Sequence, residues 1–254
     1  MRLMMTVLAA ALAQALCCQA ARADGLADLK SALTRLQEQA PLKATLDTKT
    51  WRRLGEGNDA EETHGQASVA IEDGARGMHL AYGKDILARM DAESLAQARN
   101  PNARTPTLNA AREFSPNDLR PMISAASSLS RVLEKAAWKA EQADTCQGKP
   151  ARLLTFDVAI DTLSDRDRKY VKEYEGHLYV WIADDGTPLA SRMIQNESGR
   201  AFIVIRFEAR QEEQHVYGVV GDRLVTVRKE SYNRASGAGE RDESRVVKTL
   251  QLQS

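Results

Sequence analysis

The sequence predicts an α+β protein with a large curved antiparallel sheet, a half-barrel, and a long helix packed on its concave face. Apolar and polar residues alternate in many short segments, such as 67–71 and 178–182, which is typical of half-buried strands. A helix-start pattern at Ser115 precedes a broad apolar stripe. Short connections separate the segments that follow Pro150, and short connections make neighbouring strands pair antiparallel.

The first 23 residues have the three parts of a cleavable signal peptide: Arg2, the apolar run 3–16, and the small-x-small site Ala21-Arg22-Ala23. The sequence therefore predicts export to the periplasm or the medium, with cleavage near Ala23 leaving a single α+β domain, 24–254. Two alternatives are an uncleaved N-terminal anchor and a lipoprotein modified at Cys17 or Cys18. The residues before those cysteines, Leu16 and Cys17, fit lipoprotein processing poorly because a small residue usually stands there.

The charge balance limits the classes of partner. The chain has 35 basic and 35 acidic residues, and loss of Arg2 and Arg22 would leave 33 basic against 35 acidic, a net charge of −2. A nucleic-acid binder usually has a basic excess, so we expect no nucleic-acid partner. No segment after the signal approaches an uninterrupted apolar span, so we do not expect an integral membrane protein.

The first half of the domain begins with a helix over 25–39, where leucines recur every three or four residues until Pro41. Alternation then predicts three strands, followed by a short helix. The predicted segments are strands at 44–54, 66–72 and 78–82, a loop at 55–65, a helix at 91–98 and a loop at 100–106.

The strongest predicted helix spans 115–143. Ser115-Pro116-Asn117-Asp118 combines a capping hydroxyl, a proline in the first turn and an acid three residues after the cap. Apolar residues, many of them alanine, then form one stripe that we expect to pack closely on a sheet. The stripe contains Leu119, Met122, Ile123, Ala126, Leu129, Val132, Leu133, Ala136 and Ala140.

The second half of the sequence predicts a meander of five or six strands. Asp185-Gly186 and Gly221-Asp222 are turn signals, and further turns are predicted at 196–199 and 236–240. The alternating segments from which these strands are predicted are 154–160, 178–182, 189–194, 202–209, 216–220, 224–227 and 246–252.

No pattern in the sequence predicts a catalytic residue, a metal site or a cofactor. His64, His79, His177 and His215 lack metal-ligand spacing, and the chain has no nucleophile elbow or phosphate loop. The acidic cluster Asp161, Asp165 and Asp167 is interrupted by basic residues and lacks the glycine of a calcium loop. Cys146, the one cysteine left after signal cleavage, cannot form an internal disulfide, so pairing with another chain stays open.

Aromatic side chains on the strands, together with the helix stripe, are candidates for an apolar ligand site. If the concave face is not filled, Trp51, Tyr82 and Trp181 would form one wall of a pocket. The opposite wall would come from the helix residues Met122, Ile123, Leu129 and Leu133. The alternative is that these side chains simply pack in the core or on the surface.

The segment Tyr179–Leu189, read Tyr-Val-Trp-Ile-Ala-Asp-Asp-Gly-Thr-Pro-Leu, resembles a hairpin of periplasmic lipoprotein carriers and sigma-factor regulators (the LolA/RseB-like superfamily). The order of elements is also similar: export signal, helix, strands, inserted helix and long meander. This resemblance implies a half-barrel that holds an acyl chain or lipid under a helix. It transfers no individual binding residue.

Three functions are therefore considered. The leading hypothesis is a non-enzymatic periplasmic protein that holds a lipid or another apolar small molecule between helix and sheet. The alternative is a cell-envelope protein–protein interaction module with a filled core, and the third is a hydrolase without a recognisable motif. An apolar cavity between helix and sheet favours the first, a solid core the second, and a cleft with clustered titratable groups the third.

Overall fold

The computed structural model describes residues 24–37, 40–164, 168–201 and 205–253. The predicted signal peptide, 1–23, with Cys17 and Cys18, lies outside these residues. So do Asp165 and Asp167 of the acidic cluster and residues 202–204 of one predicted strand.

The described residues form five α-helices, ten strands and three single turns of 3₁₀-helix. The helices are α1 Gly25–Arg35, α2 Lys84–Arg99, α3 Pro106–Ala111, α4 Pro116–Ile123 and α5 Ala125–Leu133. The strands are β1 Leu42–Leu54, β2 Glu61–Gly74, β3 Gly77–Ala81, β4 Ala136–Cys146, β5 Lys149–Val158, β6 Val171–Ile182, β7 Pro188–Ala201, β8 Ile205–Val220, β9 Arg223–Gly237 and β10 Glu240–Leu252. The 3₁₀ turns are Gly57–Asp59, Arg112–Phe114 and Ile160–Thr162.

All ten strands belong to one antiparallel sheet in the order β3-β2-β1-β10-β9-β8-β7-β6-β5-β4. Strands β4 to β10 are a continuous meander, and β10 pairs with β1 from Ala44↔Leu252 to Leu54↔Asp242. Strands β3 and β4 are the two edges, so the sheet does not close into a barrel. The predicted α+β class and large antiparallel sheet are confirmed.

The helices cover one face of the sheet because alternate strand residues on that face are apolar. In β1, Leu42, Ala44 and Leu46 are buried, and in β6 every second residue from Leu178 to Ile182 is buried. Among the described residues, no helix combines the length and apolar composition needed to cross a membrane.

The core has two clusters of buried side chains. In the first, α1 and α5 pack on β5 and β6, with Leu29, Leu129 and Phe156 among its members. In the second, α4 and the segment around Phe114 pack on β1 and β2. A side chain at Gly65 would lie about 2.7 Å from the Pro106 carbonyl oxygen, so this glycine allows α3 to approach β2.

Arg223, at the start of β9, joins elements from both halves of the core. Its guanidinium donates to the Ile123 carbonyl oxygen (2.5 Å), the Ala40 carbonyl oxygen (2.9 Å) and the Asp73 carboxylate (2.6 Å). The side chain is 2% exposed. These three hydrogen bonds, two to carbonyl oxygens and one to a carboxylate, compensate for the cost of burying the guanidinium cation.

The prediction of one helix over 115–143 is wrong in its length, although its start at Ser115 is confirmed. Helix α4 contains Pro121 and ends where Ser124 has φ −129° and ψ 56°, and α5 ends at Leu133. Residues 136–146 are a strand, paired with β5 through the two-residue turn Gln147-Gly148, both with positive φ. The single long helix on the sheet is therefore replaced by two short ones.

Other predicted boundaries and the number of strands also differ. The helix at 91–98 extends over Lys84–Arg99, and the loop at 55–65 ends before Glu61 because β2 is longer than its apolar part. The predicted turn at 196–199 lies inside β7, and seven strands, β4 to β10, follow α5. For β2 and β7, cross-strand pairing extends the strand into polar sequence.

Candidate binding surface on the open face of the sheet

The face of the sheet opposite the helices, here called the open face, carries polar and aromatic side chains. Since even-numbered residues Leu42 to Thr48 of β1 are buried under the helices, the odd-numbered Trp51 projects from the other side. In register with Trp51 lie Arg245 on β10, then Tyr232 on β9 and Glu212 on β8. One cross-strand row thus contains aromatic, arginine, aromatic and carboxylate side chains.

This row lines a groove of about 540 Å³, within the usual size range of ligand sites. Its other lining residues are His64, Gln214 and Glu230. The Trp51 indole Nε1 donates to the Glu62 carboxylate at 3.5 Å, which orients the ring at the rim. The groove can therefore offer aromatic surface, arginine donors and carboxylate acceptors.

Around Tyr232, three glutamates are each paired with two arginines, and we call these groups Arg–Glu–Arg triads. Glu212 lies 2.8 Å from Arg192 and 3.3 Å from Arg210. Glu230 pairs with Arg228 at 3.1 Å and also with Arg245.

The third triad contains Glu243, which lies 3.7 Å from Arg234 and also pairs with Arg241. Across the triads the glutamate side chains are only 14–22% exposed, whereas the arginines are 34–54% exposed. The carboxylates thus lie close to the sheet and the guanidinium groups above them.

The contacts within two of the triads favour the charged forms of Glu212 and Arg241. Burial opposes ionisation of Glu212, but a hydrogen bond from Gln214 and the charges of Arg192 and Arg210 hold the pKa of this carboxyl below its usual value. The hydrogen bond to Glu243 raises the pKa of Arg241. Glu212 and Arg241 are therefore both charged at neutral pH.

A second, much smaller site lies between the helices and strands β6 to β9. It is a cavity of about 60 Å³, with Leu129, Val132 and Met193 among its apolar lining and Ser191, His215 and Tyr217 among its polar lining. This volume is far below the roughly 300–1,000 Å³ of ligand pockets. The space between helices and sheet is therefore largely filled by side chains.

The polar floor of this cavity is a chain of contacts. Ser191 Oγ lies 2.7 Å from the Tyr217 hydroxyl, which lies 3.3 Å from His215 Nδ1. His215 Nε2 is 3.0 Å from Glu213, whose other oxygen is 2.7 Å from Lys229 Nζ. Burial raises the pKa of Tyr217 above its ordinary value. Its hydroxyl therefore keeps its proton and does not accept one from Ser191. This arrangement does not activate the serine.

The residues predicted as one apolar site are separated in the structure. Trp51 and Trp181 are on the open face, where Trp181 Nε1 donates to Asp144 at 2.8 Å. Tyr82, Met122 and Ile123 belong to the second core cluster, and Leu129 and Leu133 to the first. Of the seven, Leu129 alone lines the small cavity.

The other polar candidates also have structural partners. Asp161 pairs with Arg168 at 2.7 Å, and His177 lies between Asp157 and Glu175. Burial raises the pKa of the Cys146 thiol, which does not favour a nucleophile. Among the described residues, no group of three or more His, Cys, Asp or Glu side chains is placed to hold a metal ion.

Sequence reasoning missed the triads, although a signal was present. Arginine and glutamate alternate at 228, 230 and 234 around Tyr232, and again at 241, 243 and 245. Such alternation predicts one charged face for each strand. Only the register shows that the charged residues of β8, β9 and β10 belong to a single surface.

No family model matches the chain, and a search of curated proteins found no significant match. The function is therefore inferred from the geometry of the open face and from the packing of the core.

Proposed function

We propose that this protein is a non-enzymatic, exported binding protein of the cell envelope that recognises a partner protein through its open face. The observation that carries the proposal is the cross-strand row of Trp51, Arg245 and Tyr232 along the 540 Å³ groove. Tryptophan, tyrosine and arginine are the residue types most enriched at the energetic centres of protein interfaces.

The packing of the other face supports the same function. Helices α1, α4 and α5 fill the opposite face with two apolar clusters, which leaves the open face as the large solvent-accessible surface of the sheet. A rigid sheet with fixed cross-strand registers presents its side chains with little loss of conformational entropy on binding. The protein thereby provides a preorganised surface.

Site-specific photocrosslinking in the cells that produce the protein naturally tests this function. A photoreactive residue at Gln214, in the groove, is expected to give one discrete adduct with another envelope protein. The adduct is expected to disappear when Tyr232→Ala is added, because the substitution removes the central aromatic contact.

A matched photoreactive residue at Leu95, exposed on α2, serves as the control because α2 packs on α3 and away from the groove. The proposed function predicts no discrete adduct there. Equal adducts from both positions, or none from Gln214, would contradict it.

A second candidate function is the binding of an apolar ligand between helices and sheet, as the resemblance to lipoprotein carriers implies. The observation that favours it is the small cavity under α4 and α5, whose junction at Ser124 is broken. An acyl chain would require a curved half-barrel from which these helices move away. Native mass spectrometry of protein purified from the cell envelope tests this candidate, since a stoichiometric bound lipid would favour it over the filled-core function.

A further inference from the structure

The three Arg–Glu–Arg triads give the centre of the open face an excess of positive charge. Six arginines surround three glutamates, so each triad has a net charge of +1. The excess is confined to the triads: Arg53 and Glu62 form a neutral pair 3.9 Å apart, Glu56 lies near Arg241, and Glu208 lines a neighbouring groove together with Arg210 and Arg234. The chain as a whole has no basic excess, so this local excess is a property of the surface.

The exposed parts of the triads are the hydrogen-bond donors. The arginine side chains are roughly two to four times more exposed than the glutamate side chains beneath them. A guanidinium has five N–H donors in a planar fork that fits a carboxylate with two parallel hydrogen bonds. Pairing with a shared glutamate leaves donors of each triad directed to solvent or to a partner.

Along the strand direction, the triads have the spacing of alternate residues in an extended peptide. Glu212 faces Tyr232 on the adjacent strand, and Glu230 is two residues from Tyr232 along β9. From the spacing of strands and residues, the first two triad centres are about 8 Å apart and Glu243 lies about 14 Å from Glu230. Along the strand direction, Glu230, Glu212 and Glu243 align with positions 230, 232 and 234 of β9, which are steps of about 7 Å. Alternate side chains of an extended peptide have the same spacing, so carboxylates at alternate residues of a peptide parallel to β9 would each reach one triad.

We propose that the open face binds an extended acidic segment of a partner protein, with carboxylates at alternate residues placed over the triads. The inference rests on the proposed function and names the chemistry of its partner. Trp51 and Tyr232, on either side of Arg245, would contact the non-acidic residues of the segment. A denser polyanion fits less well because the three glutamates lie between the arginines and repel closely spaced phosphates.

A peptide titration tests this proposal. The probe is a fluorescent peptide of about ten residues in which glutamate alternates with serine, measured by anisotropy at low and at physiological salt. The variant combines Arg192→Gln, Arg234→Gln and Arg245→Gln, which removes one arginine from each triad and leaves every glutamate one partner. The matched control combines Arg89→Gln, Arg99→Gln and Arg131→Gln, which are exposed on helices and give the same change in net charge.

The triad variant is expected to bind the alternating peptide about tenfold more weakly than the unmodified protein, because three charge-assisted contacts are lost. The control variant is expected to retain the affinity within about twofold. An equal loss in both variants would contradict the proposal. So would tighter binding of polyphosphate, or of phosphatidylglycerol vesicles, than of the peptide.

Two further measurements distinguish unfolding of the variant, failure of the acidic-segment inference and failure of the proposed function. Thermal unfolding of the triad variant checks the fold, and if it unfolds, the single substitution Arg192→Gln replaces it in the titration. If the Gln214 adduct forms but the peptide does not bind, the acidic-segment inference fails and the proposed function stands. If the peptide binds without any adduct in cells, the proposed function fails instead.

Discussion

At the scale of single residues, the polar groups that are buried or half-buried are held by specific charges. Glu213 shows this directly, since it contacts both His215 (3.0 Å) and Lys229 (2.7 Å) on the helix-covered side of β8 and β9. Burial opposes its ionisation, but the contact with His215 and the charge of Lys229 lower the pKa of Glu213 to about 2. The carboxylate is therefore ionised throughout the physiological range.

The substitution Glu213→Gln is expected to destabilise the protein by about 1–3 kcal/mol near pH 7. Because the folded-state pKa is depressed, this contribution is fully present above the unfolded pKa near 4.5 and is lost as the pH falls towards 2. Urea denaturation of the unmodified protein and the variant between pH 7 and pH 2 should show that the difference between their free energies of unfolding disappears in acid. A constant difference across that range would show that the charge of Glu213 is not the cause.

At the scale of elements, local sequence signals predict the start of the helix at Ser115 more accurately than its end. The Ser115 hydroxyl accepts from the Asp118 amide at 3.3 Å, and α4 begins at the next residue, as the sequence predicts. The end of the predicted helix was wrong because Ala136, Ala140 and Ala143 fit both a helical stripe and an edge strand. Alanine has a high helix propensity and is depleted in strands, so the local preference favours the helix and pairing with β5 overrides it.

Replacing Ser115 by alanine is expected to reduce the free energy of unfolding by about 1 kcal/mol, since the Asp118 amide loses its side-chain acceptor and the Asp118 carboxylate loses the hydroxyl that donates to it. Ser127→Ala, at an exposed position inside α5, is the control and should change stability by less than about 0.5 kcal/mol. Chemical denaturation measures both. A similar loss in the two variants would mean that capping does not stabilise α4.

At the scale of the whole molecule, β9 holds the two core clusters together through Arg223. Leu224 belongs to the first cluster and Val225 to the second, while Arg223 reaches the α4 terminus, Ala40 and Asp73. The pairing of β10 with β1 joins the N-terminal hairpins to the C-terminal meander in the same sheet. Neither contact could be located from local sequence, because the partners of Arg223 are 100 to 183 residues away and the paired residues of β1 and β10 are 188 to 208 residues apart.

The variant Arg223→Met is expected to destabilise the protein by about 3–5 kcal/mol, because the Asp73 carboxylate would stay buried without its cation. Adding Asp73→Asn should recover part of this loss, since it removes the uncompensated charge. Equilibrium unfolding of the two single variants and the double variant gives the coupling energy. Strictly additive losses would contradict a direct ion pair.

The sequence by itself determined that the protein is α+β, that most of its second half is antiparallel strand, and that an apolar stripe begins after Ser115. These features depend on side-chain periodicity and capping, which act within a few residues. Only the tertiary structure decided that residues 136–146 are an edge strand and that the core is filled. It also decided that arginines and glutamates from β7 to β10 form one open surface, because strand register is fixed by contacts between residues distant in the chain.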